Sequence, residues 1–366
     1  MSIEPIKMPK WGLAMEEGKI VEWWAKEGDQ VKEGDDLVDI ETSKITNVCE
    51  AHQDGTLRKI VASLEETLPV GALIAVMAES DVSDDEIEAF IEDFQASFDP
   101  GEAAGEASGP EIRTVDVYGR TLRVGVMGED LSGTPIVLLH GFGGDLNNWM
   151  LVQPALAEER PVYAIELPGH GQSAKDVGDG KLGTIATGIV AAIDALGLDS
   201  FSLAGHSLGG AIAAEVAARA GDRVKGLGLV CPAAMPGGSI NEDYLDAFVS
   251  ARRSKDLREP AKNLFADVSF VTRDMLEDLI KAKRLDGAQN ALTLIKDNLK
   301  GADPDYAALG GRLSDIAAPI TLIASKTDQI VGAPDPAAFP AGTKDFGHMP
   351  LLEKIADVTT ALKELA

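Results

Sequence analysis

The sequence predicts a multidomain protein in which an all-β sandwich of two repeated meanders precedes an α/β fold with a helical lid. In residues 1–80, short runs of alternating apolar and polar residues are separated by Gly-Asp turns, which is typical of a small sandwich. From residue 112 onward, apolar runs alternate with helical periods, which indicates a largely parallel sheet. We therefore expect a first domain over residues 1–80, an acidic helix and linker over 81–111, and a second domain over 112–366.

The composition disfavours several classes of partner. The formal net charge of −27 argues against nucleic acid and anionic membranes, because both are negatively charged themselves. No apolar run approaches the roughly 20 residues that cross a bilayer, and the N-terminus lacks the pattern of an export signal. The two cysteines, Cys49 and Cys231, fall in different predicted domains, so we expect no disulfide. These features predict a cytoplasmic protein.

An internal repeat in the first domain gives one lysine a distinct position. A shift of 37 residues aligns similar residues of the two halves: Gly18 with Gly55, Ile20 with Leu57, Val31 with Leu68, Gly34 with Gly71, Leu37 with Ile74 and Ile40 with Met77. Two similar meanders are therefore expected to pack face to face. Lys44, in "DIETSKITN", falls at the turn between the halves, where a sandwich displays a side chain far from its core.

The first domain resembles a lipoyl domain over its whole length, from "MPKWGLAMEEGKIVEWWAKEGDQVKEGDDL" to "VGALIAV". In that family the lysine of the "ETSK" turn carries lipoic acid in amide linkage, and Lys44 matches that lysine. Biotin carriers share the fold, but their turn resembles "AMKM", whereas Thr42, Ser43 and Ile45 surround the lysine here. The resemblance implies lipoate covalently attached to Lys44 by a lipoate-attachment enzyme.

The segment between the two domains is strongly acidic. Residues 81–111 contain 11 acidic residues and neither lysine nor arginine. Ser83 and Glu86 have the spacing of a capping box, and the apolar residues that follow share one helical face: Ile87, Phe90, Ile91, Phe94 and Phe98. This helix either covers a flanking domain of its own chain or docks a partner, and the sequence leaves both open. "DPGEAAGEASGP" is typical of a flexible linker.

The second domain contains a nucleophile motif between a predicted strand and a predicted helix. "GHSLGG" follows the strand "FSLA" and opens the helix "LGGAIAAEVAARA". Glycines two residues before and two residues after Ser207 permit a tight turn that exposes the serine at a helix N-terminus. The sequence therefore predicts Ser207 as the nucleophile.

A base and an acid follow the nucleophile along the chain. A serine hydroxyl is a poor nucleophile unless a base removes its proton. His348, in "DFGHMPLLEK", precedes a terminal helix, and Asp328 directly follows the predicted strand "PITLIA". The order Ser207, Asp328, His348 resembles that of the α/β-hydrolase fold family, over about 250 residues of this chain.

The same resemblance implies an oxyanion hole and a lid. In the family the residue after "HG" donates its backbone N–H to the oxyanion; here that residue is Phe142, paired with Leu208. Residues 233–312, approximately, have helical periods and imply a lid over the nucleophile. No metal ligand is assigned. Three further histidines match family motifs in which they are mostly structural: His140, His170 and His206.

The two domains together resemble the dihydrolipoamide acetyltransferases of acetoin dehydrogenase complexes. That resemblance implies acetyl transfer from lipoyl-lysine through Ser207 to coenzyme A (CoA). It also implies a thiamine-diphosphate-dependent E1 component and a dihydrolipoamide dehydrogenase E3 component as partners. Two alternatives stay open: a hydrolase or thioesterase in which water resolves the acyl-serine, and a carrier with a relic hydrolase domain. The complete set of catalytic motifs argues against the relic.

Overall fold

The structure is a computed structural model that describes residues 3–9, 15–32, 34–42, 46–51, 53–79, 82–98, 109–335 and 345–365. The chain divides into two compact units, Met1–Gly109 and Pro110–Ala366. The predicted lipoyl-lysine, Lys44, lies outside the described residues. Residues 99–108, which contain most of the predicted linker, also lie outside them.

The described part of the N-terminal unit is a sandwich of two four-stranded sheets, as predicted. One sheet has the strand order β1-β8-β6-β3 and the other β5-β4-β2-β7, with antiparallel pairing throughout. Each sheet thus takes strands from both repeats, because β3 pairs with β6 and β7 with β2. The repeats interlock across the sandwich and do not form one sheet each. The strands are β1 (Ile3–Lys7), β2 (Glu17–Trp23), β3 (Gln30–Val31), β4 (Asp36–Glu41), β5 (Thr46–Glu50), β6 (Gly55–Ile60), β7 (Thr67–Pro69) and β8 (Leu73–Ala78).

The 37-residue repeat is visible in the packing of two glycines. A Cβ atom on Gly18 would lie 2.7 Å from Cγ2 of Ile40, and one on Gly55 would lie 2.8 Å from Cε of Met77. Ile40 and Met77 are themselves related by the repeat. Each half therefore uses a glycine at the same place to let a large apolar side chain fill the core.

Helix α1 (Asp84–Ser97) begins at the predicted capping box. The backbone N–H of Ser83 donates to Oε2 of Glu86 at 2.9 Å, and the N–H of Glu86 donates to Oγ of Ser83 at 3.3 Å. Arg58, on β6, donates to the carbonyls of Glu79 and Val82, both at 2.9 Å, in the segment that leads into the helix. Sequence and tertiary contacts together therefore define where α1 starts.

The apolar face of α1 covers the sandwich of its own chain. Ile87 is buried in a cluster with Leu73, Val76 and Ala78 of β8, and Phe90, Ile91 and Phe94 pack against that cluster. Of the two alternatives for this helix, the structure therefore shows the first: α1 covers a domain of its own chain. The acidic residues of the opposite face are exposed to solvent.

The described part of the C-terminal unit is built on a seven-stranded sheet of order β15-β14-β13-β11-β12-β10-β9. The pairs β9–β10 and β10–β12 are antiparallel, and the others are parallel. This confirms the predicted antiparallel edge pair beside a parallel sheet. The central strands are buried throughout, which explains their continuous apolar runs. The strands are β9 (Glu111–Val117), β10 (Arg120–Met127), β11 (Ile136–Leu139), β12 (Val162–Ile165), β13 (Phe201–His206), β14 (Val224–Val230) and β15 (Ile320–Ile323).

The helices of this unit pack against the sheet and against one another. Helices α5 to α9 all lie between β14 and β15 in the chain, where the sequence predicts the lid. Among the described residues, no helix is both long and apolar enough to span a bilayer. The helices are α2 (Gln153–Leu156), α3 (Leu182–Ala195), α4 (Leu208–Ala220), α5 (Glu242–Ser250), α6 (Ser254–Ala261), α7 (Arg273–Lys283), α8 (Ala288–Asp297), α9 (Pro304–Arg312), α10 (Pro350–Glu353) and α11 (Ile355–Lys363).

Candidate active site

Ser207 lies in a sharp turn between β13 and α4. Its backbone has φ 54° and ψ −119°, a conformation that L-residues rarely adopt. The turn requires its glycines: a Cβ atom on Gly205 would lie 2.1 Å from the carbonyl oxygen of Gly209, and one on Gly209 would lie 2.3 Å from that of Leu139. The N–H of Ser207 donates to the carbonyl of Val230 at 2.9 Å, which ties the turn to the neighbouring strand β14. The side chain is therefore held at the carboxyl edge of the sheet.

The structure brings Ser207, His348 and Asp328 together. His348 Nε2 lies 2.9 Å from Ser207 Oγ, and His348 Nδ1 lies 2.8 Å from Asp328 Oδ2. All three residues are buried. With the proton on Nδ1 donated to Asp328, Nε2 accepts from the Ser207 hydroxyl, which is the arrangement needed for general-base activation of a serine.

The Asp328 carboxylate is held by more than the histidine. Its Oδ1 accepts from the backbone N–H of Ile330 at 2.7 Å and of Val331 at 3.1 Å. Burial raises the pKa of this carboxyl, but the charge and hydrogen bond of His348 and the two N–H groups outweigh it and hold the pKa below its ordinary value. Asp328 therefore stays ionised at neutral pH and can stabilise an imidazolium on His348.

The loop after β11 runs beside the nucleophile. A Cβ atom on Gly141 would lie 2.9 Å from Nδ1 of His206 and 3.1 Å from Cβ of Ser207, so a larger residue there would displace its neighbours in the site. Phe142 follows in the chain, and Leu208 opens α4. Among the described residues, no backbone carbonyl accepts from the N–H of Phe142 or of Leu208. These two donors are the ones that the sequence predicts for an oxyanion hole.

The other three described histidines of this unit are buried and remain neutral. Burial lowers the pKa of His140 to about 4, and that of His170 and of His206 to about 3. His140 Nε2 accepts from the N–H of Leu167 at 3.0 Å. His206 Nε2 donates to the carbonyl of His348 at 2.7 Å, so His206 supports the backbone of the predicted base. The geometry gives these histidines structural contacts, as the sequence suggested.

Cys231 is a neighbour of the triad that the sequence analysis did not assign to the site. Its sulfur and the ligand atoms of Asp328 and His348 lie within 4.8 Å of one another. Burial, followed by the charge of Asp328 and a hydrogen bond to it, raises the thiol pKa well above its ordinary value. The thiol therefore remains protonated and shares the Asp328 carboxylate with His348. The signal was in the sequence, because Cys231 follows β14 as Asp328 follows β15, and parallel strands end at one edge.

Glu353 links two segments: the loop that contains His348 and the segment that is predicted to form the lid. The sequence analysis did not assign this role to Glu353. Its Oε1 accepts from the N–H groups of Ala266 and Asp267 at 2.8 and 3.0 Å, and its Oε2 accepts from the N–H of Gly347 at 2.6 Å. The N–H of His348 itself donates to the carbonyl of Leu264 at 2.7 Å. The base is therefore positioned partly by residues 264–267, in the segment that is predicted to form the lid.

Glu353→Gln should lower kcat roughly tenfold, because an amide can accept only through one oxygen and a charged hydrogen bond contributes about 1.5–3 kcal/mol. The loss should appear in kcat more than in KM, since the substitution displaces His348 and not the substrate. Steady-state kinetics with an aryl acetate tests this. Glu364→Gln, at an exposed position of the same terminal segment, is the matched control. Wild-type kcat in the Glu353 variant would show that this network does not position the base.

Comparisons with known proteins match both units. A family model described as "alpha/beta hydrolase fold" matches residues 134–354, and one described as "Biotin-requiring enzyme" matches residues 4–77. The dihydrolipoyllysine-residue acetyltransferase component of the acetoin cleaving system of Pseudomonas putida is 47% identical over 79% of this chain and 78% of its own. The component of the same name from Cupriavidus necator is 37% identical over 99% of this chain and 97% of its own. The chain belongs to this family.

Membership of this acetyltransferase family rests on both units, since the match to the Cupriavidus necator relative covers nearly the whole of each chain. Solved structures add the fold of the C-terminal unit. The meta-cleavage product hydrolase of Pseudomonas fluorescens IP01 has a TM-score of 0.59 at 20% identity, over 69% of this chain and 96% of its own. The predicted family and the predicted α/β-hydrolase fold are thus confirmed.

Proposed function

We propose that this chain is a dihydrolipoyllysine-residue acetyltransferase, the E2 component of an acetoin-dehydrogenase-type complex, which moves an acetyl group from lipoyl-lysine to CoA. The observation that carries the proposal is the contact of Ser207, His348 and Asp328 in a chain that aligns over both units with a relative of that name. A serine nucleophile with its base suits acyl transfer, and a lipoyl domain in the same chain supplies the acyl donor.

Lys44 is the proposed attachment point of the lipoate. Glu41 pairs with Thr46 at the end of the β4–β5 ladder, so the segment that contains Lys44 joins two adjacent antiparallel strands. Connections between strands generally run over the surface of a domain, where a modifying enzyme can reach them. Bound lipoate would supply a dithiol whose acetyl thioester is the substrate of the reaction.

In the first half-reaction, Oγ of Ser207 attacks the thioester carbonyl while His348 Nε2 takes the hydroxyl proton. The N–H groups of Phe142 and Leu208 receive the negative charge on the carbonyl oxygen. Collapse of the tetrahedral species breaks the C–S bond, and His348 returns its proton to the leaving thiolate. The products are acetyl-Ser207 and a dihydrolipoyl group. Asp328 stays ionised and stabilises the imidazolium throughout.

In the second half-reaction, the CoA thiol attacks acetyl-Ser207 with His348 as the base, and Oγ leaves with the returned proton. Water in place of the thiol would give acetate, so the hydrolase alternative differs only in this step. The lid lies close to the site: the ring of Phe248, on α5, is 5.6 Å from that of Phe142. A lid helix packed against the loop that supplies an oxyanion donor would limit the access of water to the acyl-serine.

Acetyl-CoA should be the main product when purified protein is given acetyl-dihydrolipoamide and CoA. The attacking thiol is the better nucleophile, and the lid helix beside the loop after β11 would restrict the access of water. Chromatographic quantification of acetyl-CoA and acetate, with and without CoA, measures the partition. Acetate released at the same rate and yield with or without CoA would contradict the transferase and support the thioesterase.

The other components of an acetoin-cleaving complex are the proposed partners. A thiamine-diphosphate-dependent E1 would load the acetyl group onto the lipoyl-lysine, and a dihydrolipoamide dehydrogenase E3 would reoxidise the dithiol. The carrier in the same chain makes transfer to Ser207 intramolecular, with an effective concentration up to about the millimolar range. A weak affinity between the two units is then sufficient for turnover.

A further inference from the structure

The lid contains a cationic cavity whose lining does not include the residues of the candidate active site. The cavity has a volume of about 360 Å³ and lies between the end of α5, the end of α7 and the start of α8. Its charged lining consists of Arg252, Lys283, Arg284 and one acid, Asp286. This excess of positive charge is unexpected in a chain whose net charge is −27, and it indicates an anionic ligand.

Lys283 is the least expected member of this lining. Its side chain is buried, with 7% exposure, and its ammonium donates to the carbonyls of Phe248 and Ala251, the latter at 2.8 Å. No carboxylate forms an ion pair with it among the described side chains. Burial, followed by the charge of Arg252, lowers its pKa to about 8. A buried lysine normally has a counter-charge, so an anion in the cavity would complete its surroundings.

The two arginines of the cavity also lack a partner carboxylate. Arg252 donates from Nη1 to Oε1 of Gln289 at 3.0 Å, and neither Arg252 nor Arg284 forms an ion pair in the part of the chain that the structure describes. Both are exposed. The nearby acid Asp256 is already paired with Arg253 at 3.0 Å. Two guanidinium groups are therefore available for the planar, bidentate contacts that they make with phosphate.

The start of α8 adds backbone donors to the same cavity. Gly287 is the N-cap, with φ 80° and no side-chain cap, and Gln289 and Asn290 also line the cavity. Within the described residues, the N–H groups of Gln289 and Asn290 donate to no acceptor outside the helix. A helix N-terminus favours anions, and here it reinforces three cationic side chains.

We propose that this cavity binds the phosphate groups of CoA during acetyl transfer, an inference that rests on the proposed function. The cavity is joined to the site by Phe248, since the Lys283 ammonium lies 4.9 Å from its ring and that ring lies 5.6 Å from the ring of Phe142. The pantetheine arm of CoA, comparable to four extended residues, spans about 13 Å. The arm is therefore longer than the path from the Lys283 ammonium by way of the Phe248 ring to the Phe142 ring, so the thiol can approach the nucleophile loop while the phosphates stay at the cavity.

The double variant Arg252→Gln/Arg284→Gln tests phosphate binding in this cavity separately from the chemical step of acetyl transfer. Acetyl transfer is measured with CoA and with pantetheine, which has the same thiol and arm but lacks the nucleotide phosphates. For the wild type, KM should be about tenfold or more lower for CoA than for pantetheine, because charged hydrogen bonds are lost with the phosphates. The variant should raise KM for CoA toward the pantetheine value with little change in kcat, and should leave KM for pantetheine unaltered.

Arg258→Gln is the matched control, because Arg258 is an exposed arginine of α6 that does not line the cavity. It should leave both KM values at wild type. Inorganic phosphate should compete with CoA in the wild type and not in the double variant, which distinguishes a general anion site from indirect effects.

The outcomes separate the two proposals. Equal KM values for CoA and pantetheine in the wild type, or an unchanged KM for CoA in the double variant, would overturn the cavity assignment and leave the transferase intact. Failure to transfer acetyl to either thiol would instead overturn the proposed function. A double variant that raises both KM values equally would show that the arginines shape the lid and do not bind phosphate.

Discussion

Ser207→Ala should lower kcat for acetyl transfer by roughly 10⁴- to 10⁶-fold, the range found when the nucleophile of a serine triad is removed. The substitution takes away the atom that becomes acylated and leaves the turn, the base and the oxyanion donors in place. Transfer from acetyl-dihydrolipoamide to CoA and cleavage of an aryl acetate should both be lost, since both pass through the acyl-serine. Rapid-quench assays and intact mass, which detects acetylated protein, measure the two steps.

The controls for this prediction use the rest of the triad. His348→Ala should match Ser207→Ala. Asp328→Asn should also lose most activity, because its amide oxygen must accept from the N–H groups of Ile330 and Val331, so that its NH2 donates to Nδ1 and holds His348 in the wrong tautomer. The double and triple variants should be no worse than Ser207→Ala, since residues that act as one unit are not additive. The melting temperature should change little. Turnover at the wild-type rate by the Ser207→Ala protein would show that Ser207 is not the nucleophile.

Local patterns in the sequence predict the elements that carry the candidate site. Gly205 is required by its close approach to Gly209 in the same turn, so the motif "GHSLGG" can be recognised without the structure, although the contact of Gly209 with Leu139 is seen only in the fold. Asp328 is predicted from the same kind of information, because the loop that follows a parallel strand lies at the edge of the sheet where ligands bind, and Asp328 is in the loop after β15. For His348, the sequence offers only its position after Ser207 and Asp328 in the chain. The structure places it at hydrogen-bond distance from both.

Long-range contacts are where sequence reasoning fails. From the sequence, Glu353 looks like an ordinary surface acid at the end of a short helix. Only the fold shows that the backbone N–H groups that donate to it are 6, 86 and 87 residues away in the chain. Lys283 reads as a charged residue in the last turn of a helix, where lysine is common. Its burial against the end of α5 depends on how the lid helices pack. Neither feature has a periodicity that a pattern could reveal.

In the N-terminal unit, too, the sequence predicts local features of the repeat but not the contacts that depend on tertiary packing. The 37-residue period correctly predicts paired glycines and paired core residues, because the two halves fill equivalent volumes. It does not predict the exchange of β3 and β7 between sheets, since period and polarity are unchanged whichever sheet an edge strand joins. Pairing partners of two- or three-residue strands are decided by the turns and by tertiary packing.

Lys44→Arg should abolish acetyl transfer that begins at E1, because arginine keeps the charge but cannot form the amide with lipoic acid. Wild-type protein from a lipoylating host should carry the lipoyl mass increment, and the variant should lack it. Lys26→Arg, at an exposed lysine of the same unit, should keep the increment and is the matched control. Unmodified wild-type protein from lipoate-replete cells would contradict the proposal that Lys44 carries lipoate.

The same variant tests whether the two units are chemically independent. Free acetyl-dihydrolipoamide supplies the thioester without the carrier, so Lys44→Arg should transfer acetyl from it to CoA at nearly the wild-type rate, whereas Ser207→Ala should not. A mixture of the two variants should then recover some E1-dependent turnover, since one provides the carrier and the other the nucleophile. That recovery should increase with protein concentration, because transfer between chains loses the millimolar-range effective concentration of the tether. Recovery independent of concentration would mean that the donor and acceptor chains are already held in one assembly. No recovery, with each variant folded, would mean that a carrier reaches only the active site of its own chain.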